Sequence, residues 1–176
     1  MLFFKKIINF LIFILVKINL LKLPVKSLRI LMFHDIVNFE KFYHQLITLK
    51  KEWTFINPND FYKIISGKKK IKQRYLMLTF DDGFKSNLTI AKKYLKRLRL
   101  KGIFFIPLKF ILLKNAKDKK DFIQNNLKLE KISLNMNNLN TNDIKEILYL
   151  KNIIGAHTFS HLNLKKIKNK SKLHFE

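Results

Sequence analysis

Tyr75-Leu76-Met77-Leu78-Thr79-Phe80-Asp81-Asp82-Gly83-Phe84 is an apolar run that empties two adjacent carboxylates onto a glycine. Six residues of this character predict a buried strand, and the glycine predicts a sharp turn at its end. A hairpin is the simplest alternative, because Asp-Gly between apolar runs is a strong turn signal. It requires a second alternating strand after the glycine. Instead, Leu88, Ala91, Leu95 and Leu98 fall on one helical face, with Ser86 or Asn87 available as the cap and Gly102 as the stop. The stretch therefore reads as strand, turn, helix, with Asp81 and Asp82 at the carboxyl end of the strand.

The same grammar recurs on both sides. Leu28 to Phe33 is a short apolar run ending at His34-Asp35, and Ile103 to Ile106 is another that exits at Pro107. Asn152 to Ala156 is a fourth, followed by His157-Thr158-Phe159-Ser160-His161. Between them lie helical patterns over Phe39 to Glu52, Asp60 to Ser66 and Thr141 to Leu150, with Trp53 to Ile56 as a brief strand. Lys109 to Asn140 carries weak helical patterns and many asparagines, and receives no assignment. Strands alternating with helices predict parallel βαβ units, in which active residues gather at the carboxyl ends of strands. His34, Asp81, Asp82 and His157 each close a predicted strand, and His161 is placed one helical turn beyond.

Composition bounds the chemistry. The 176 residues, 48% of them hydrophobic, suffice for one core. Without cysteine, thiolate metal sites, disulfides and cysteine nucleophiles are excluded, which leaves His, Asp and Glu as ligands. The net charge of +24 raises nucleic acid or an anionic membrane as a partner. The lysines, however, are spread over nearly every predicted helix, so no specific nucleic-acid interface is expected. From Leu2 to Leu23 the chain is mostly apolar, with Lys5 and Lys6 ahead of the block Phe10 to Val16 and Lys17 and Lys22 behind it. No small-residue cleavage site follows, and the block is short for a clean span of about 20 residues. An N-terminal apolar helix over 1–23, acting as a signal anchor or interfacial segment, is expected to attach the remainder, 27–176, to a membrane.

One carboxylate and two imidazoles can hold a divalent metal while leaving room for water and substrate, and such an ion brings a water's pKa down to about 7. At a sharp turn successive side chains diverge, so Asp82 can reach the metal while Asp81 faces the water as a base. Alone, His157 and His161 would read as an i,i+4 pair on a solvated helix; beside the carboxylate pair they read as ligands. Thr158 and Ser160 are candidates to orient an imidazole through its second nitrogen. His34 is a candidate lining residue, whereas His44 and His174 read as surface histidines. A phosphoesterase would share these ligands but would require more carboxylates for a second ion.

Thr79-Phe80-Asp81-Asp82-Gly83 and His157-Thr158-Phe159-Ser160-His161 together resemble the first two signature motifs of the NodB-homology polysaccharide deacetylases, carbohydrate esterase family four. The opening Met32-Phe33-His34-Asp35-Ile36 and the Gly102-Ile103-Phe104-Phe105 segment are similar too, so the likeness runs from about Leu28 to Leu164. It implies a partial irregular (β/α) barrel, Asp81 as general base, and Asp82, His157 and His161 as ligands of a divalent metal, usually zinc. It further implies removal of acetyl groups from an N-acetylated polysaccharide, with the cell envelope as the setting. The family's later motifs, including a Leu-x-His that supplies a general acid, have no counterpart after His161. Two expectations follow: a deacetylase whose domain is incomplete, or an inactive, membrane-attached remnant or partner subunit that keeps the metal site. The long interval between Asp82 and His157 implies an insertion near 109–140.

Overall fold

A computed structural model describes residues 26–129 and 137–176. The expected N-terminal apolar helix over 1–23 lies outside these residues. Among them, no helix is long and apolar enough to cross a membrane.

Five strands form one parallel sheet: β1 (Ser27–Phe33), β2 (Thr54–Phe55), β3 (Arg74–Phe80), β4 (Gly102–Ile106) and β5 (Ile153–Ala156). The order is β1-β3-β4-β5, with the two residues of β2 pairing to the start of β3. Among the described residues the sheet is open, an α/β arrangement of parallel strands and crossover helices. Helices fill the crossovers, as parallel neighbours require. They are α1 (Phe39–Leu49), α2 (Pro58–Ile65), α3 (85–98), α4 (Leu108–Leu112), α5 (Ala116–Asn125) and α6 (Thr141–Tyr149), and α7 (Lys170–Phe175) follows the last strand.

Strand alternation divides the core. Leu78, Phe80 and Phe104 face the helices, where they meet Phe42 and Leu46 of α1, Ala91 and Leu95 of α3, and Ile147 of α6. Phe80 and Phe104 stack with ring centroids 4.7 Å apart, and each is fully buried. Burying such a ring contributes about 1.5–3 kcal/mol. The opposite face carries Tyr75 and Met77, closed off by Ile56 and by Ile64 of α2. Farther along this face the cover ends, and Ile30, Met32 and Ile153 remain 51%, 60% and 41% exposed.

Two local expectations are corrected. Gly102 does not stop α3; Arg99 does, in the left-handed conformation at φ 55°. Gly102 instead starts β4 against Phe80, whose ring would lie 2.8 Å from any added Cβ. Nor do Ser86 and Asn87 cap α3: the cap position is Phe84, with no side-chain hydrogen bond. The middle of α3, Ile90–Leu95, is wound as a π-helix. In the asparagine-rich stretch, Phe110, Phe122, Ile123 and Leu127 form a satellite core with Phe84.

Candidate active site

β3 ends at Phe80, and the Asp81 amide donates to the Phe33 carbonyl of β1 at 2.7 Å, which carries the pairing one residue past the strand. The chain then turns through Asp82 and Gly83, both at φ 70°. Glycine adopts this conformation freely, whereas Asp82 is held in it by its surroundings. Those surroundings are tight: the Leu139 amide donates to Gly83, the Lys85 amide to Asn137, and Phe84 bridges Asn138. A Cβ on Gly83 would stand 3.1 Å from Ile111 and 3.2 Å from Ile106. Asp81 and Asp82 are buried at 6% and 3% exposure.

His157 follows β5 directly, its amide donating to Ile106 of β4. The segment to His161 is a loop and not the helical turn expected from the spacing. Thr158 and His161 lie at φ 60° and 59°, and these left-handed residues fold the second imidazole back beside the first. The ring centroids are 4.8 Å apart. Asp82 Oδ1 lies 3.5 Å from His157 Nε2 and 3.4 Å from His161 Nε2. The Asp82, His157 and His161 donor atoms all fall within 4.8 Å of one another.

Three observations test whether this set fits a metal. Asp82 Oδ1 is buried without a hydrogen-bond partner, an arrangement costly for an ionised oxygen unless a cation or proton serves it. His161 Nδ1 sits 3.0 Å from the Asn126 carbonyl, so the protonated nitrogen points there and Nε2 presents its lone pair to Asp82. Both histidines keep about a third of their surface open, enough for water and substrate to approach. The residues fit a divalent ion that favours nitrogen and oxygen ligands.

Electrostatics separate the two carboxylates. Burial pushes the Asp81 carboxyl above its usual range, against the opposing pull of His157 and His34. The Asp82 carboxylate holds the His157 imidazole above its ordinary value, although burial works the other way. Asp81 Oδ1 also lacks a partner and is available to a ligand's proton. His34 lies exposed just past β1, one position beyond the Phe33–Phe80 pair, and so beside Asp81 in register. Asp35 accepts from Ser86 Oγ at 2.6 Å, and Asn87, fully buried, donates to the Asp81 carbonyl. His44 and His174 are exposed, in keeping with their reading as surface residues.

Sequence reasoning missed the supports of the histidine loop. Neither Thr158 nor Ser160 orients an imidazole; Asn126, from the unassigned stretch, does so through its carbonyl and also donates to Ser160 O at 2.7 Å. Ser160 is bound by Glu176. An asparagine among many and a distant glutamate carry no local signal that could have singled them out.

An open parallel sheet with acidic and histidine turns at its carboxyl edge defines the class, and comparison supplies the family. The sequence pattern of the polysaccharide deacetylases matches residues 68–174, more than half of the chain, and the protein belongs to that family. No curated protein sequence matches it. Among solved structures it is similar to IcaB from Ammonifex degensii, at 19% identity and a TM-score of 0.58, covering 76% of this chain and 54% of that one. The Streptococcus pyogenes deacetylase PplD, in complex with acetate, aligns at 18% identity and a TM-score of 0.57 over 83% of this chain and 62% of its own. The BpsB deacetylase domain from Bordetella bronchiseptica aligns at 16% identity and a TM-score of 0.52, covering 80% and 58%. These likenesses concern the fold, and this chain spans between about half and two thirds of the neighbours' lengths.

Proposed function

We propose that the protein is a metal-dependent hydrolase that removes N-acetyl groups from a polysaccharide or its oligosaccharides. The observation that carries this reading is the orphaned Asp82 Oδ1 facing two imidazoles, with a second buried carboxylate one residue earlier. Asp82, His157 and His161 would hold the ion, and zinc suits two nitrogens and one oxygen. When bound, a divalent cation there polarises the acetamide carbonyl and acidifies water. Asp81 accepts the proton as the water oxygen bonds to the acyl carbon, and the C–N bond breaks to give acetate and a free amine. The leaving nitrogen needs a proton, and His34, exposed and beside Asp81 in register, would be its donor in this reading. The test is acetate release from N-acetylated amino-sugar oligomers by the zinc- or cobalt-loaded protein. Asp81→Asn is expected to lower kcat by about 10²–10⁴-fold, and undiminished release would refute the assigned base.

The exposed Ile30, Met32 and Ile153 on the sheet face below the site favour a second reading. In it, the chain is a catalytically inactive partner subunit that binds metal and leaves turnover to an assembly. Metal uptake without acetate release from the purified protein would support it. In either reading residues 1–23 attach the deacetylase portion, 27–176, to a membrane surface at the cell envelope. Loss of vesicle binding on deleting that segment is the expected result.

A further inference from the structure

The loop from His157 to His161 presents both imidazoles but has no regular structure of its own. Two of its residues are left-handed without being glycine, and such a conformation persists only where the surroundings over-determine it. On one flank, the Lys109 amide donates to the Phe159 carbonyl at 2.9 Å and Asn126 Nδ2 to the Ser160 carbonyl. On the other, α7 brings Glu176 back to the same two residues. The Phe159 amide donates to the Glu176 main-chain oxygen at 2.9 Å, the Ser160 amide to Glu176 Oε2 at 2.9 Å, and the Ser160 hydroxyl to Oε1. Phe175 sets its ring edge-on to Phe159 at 4.8 Å.

We infer that Glu176 is a positioning residue of the metal centre: its carboxylate grips both polar hydrogens of Ser160 and so holds His157 and His161 turned toward Asp82. Ser160 is 7% exposed, so water is a poor substitute for the carboxylate. Hydrogen bonds to an ionised acceptor are roughly twice as strong as neutral ones, and here both oxygens are used at one residue. The Glu176 side chain reaches Ser160. It acts on the peptide between the two imidazoles, and its removal changes how the ligands are presented without removing a ligand. This inference rests on the metal-dependent reading above.

Cobalt(II) provides a test independent of turnover, because its visible absorption reports the ligand geometry. Glu176→Ala is expected to weaken cobalt binding about tenfold, the lower end for supports behind the ligands, and to alter the absorption spectrum. Glu176→Gln, which keeps one acceptor, is expected to fall between Glu176→Ala and the parent protein. Leu173→Ala, on the same helix but exposed, is expected to change neither quantity. If Glu176→Ala fails to fold, Ser160→Ala removes the hydroxyl bond alone and is expected to produce a smaller shift in the same direction. Parent-like affinity and spectrum in Glu176→Ala, or in Ser160→Ala where that variant stands in, would overturn the assignment while leaving the metal reading intact. Failure of the parent protein to bind cobalt would overturn both.

Discussion

The two turns that meet at the site differ in burial and in the segments that brace them. The Asp81-Asp82-Gly83 turn is buried and follows the central strand without a break, its first amide still paired to β1. The His157–His161 loop is half-open and takes its shape from three distant segments, through Lys109, Asn126 and Glu176. Both turns start on an amide paired to the neighbouring strand; the carboxylates are then closed in by the 137–139 segment, and the imidazoles by Lys109, Asn126 and Glu176. Damage to the sheet should disturb both turns, whereas damage to the loop's supports should disturb the histidines alone.

The most drastic way to break this contrast is to remove a ligand. Asp82→Ala is expected to abolish metal binding, measured by calorimetric titration, and to leave the helical far-ultraviolet signal unchanged. Phe110→Ala attacks the satellite core that joins the two turns, since Phe110 packs edge-on to Phe84 at 5.8 Å and stacks on Phe122 at 4.9 Å. Truncation of a fully buried phenylalanine costs about 3–5 kcal/mol, to be read from denaturant midpoints. Asn126→Ala sharpens the contrast. It removes the donor to Ser160 O and is expected to cost about 1 kcal/mol, with metal affinity reduced and the Asp81 environment unchanged.

The smallest effects are those of protons. The folded apo protein holds the His157 proton above the ordinary value of 6.5. That contribution to stability is complete below the unfolded pKa and is lost as the pH rises through the folded one. A metal competes for the same lone pair, so its affinity is expected to rise over that same window, and titration calorimetry across pH checks the sign. Asp81, its carboxyl also held above the usual range, carries the same sign, and stability falls as the pH rises through its folded value. Burial penalises the ionised carboxylate, so Asp81→Asn is expected to raise the melting temperature of the apo protein at neutral pH while removing the base.

Much of this architecture was legible in the sequence, for identifiable reasons. Leu78 and Phe80 are apolar because they lie under helices, and the Asp-Asp-Gly that follows can only be a turn. The capped helix Thr141–Tyr149 was legible too, because Asn140 and Asp143 close a capping box within four residues. The histidine pair was found by its spacing, but its conformation was misread. A four-residue interval suits a helical turn, and nothing local discloses that Thr158 and His161 are left-handed. The stretch containing α4 and α5 was opaque because its few apolar residues, Phe110, Phe122, Ile123 and Leu127, are diluted by lysine and asparagine. Their partner, Phe84, sits far away in the chain. The closing contact of Glu176 with Ser160 depends on the return of α7 and has no periodicity to betray it.

Thr158 is β-branched, sits at φ 60°, and buries a hydroxyl that finds no partner. Glycine at this position would relax the backbone and remove the orphaned oxygen together. A laboratory selection for heat tolerance alone should therefore favour Thr158→Gly, and a selection for turnover should discard it. Thr158, directly after the first imidazole, is a point at which durability and activity pull a lineage in different directions.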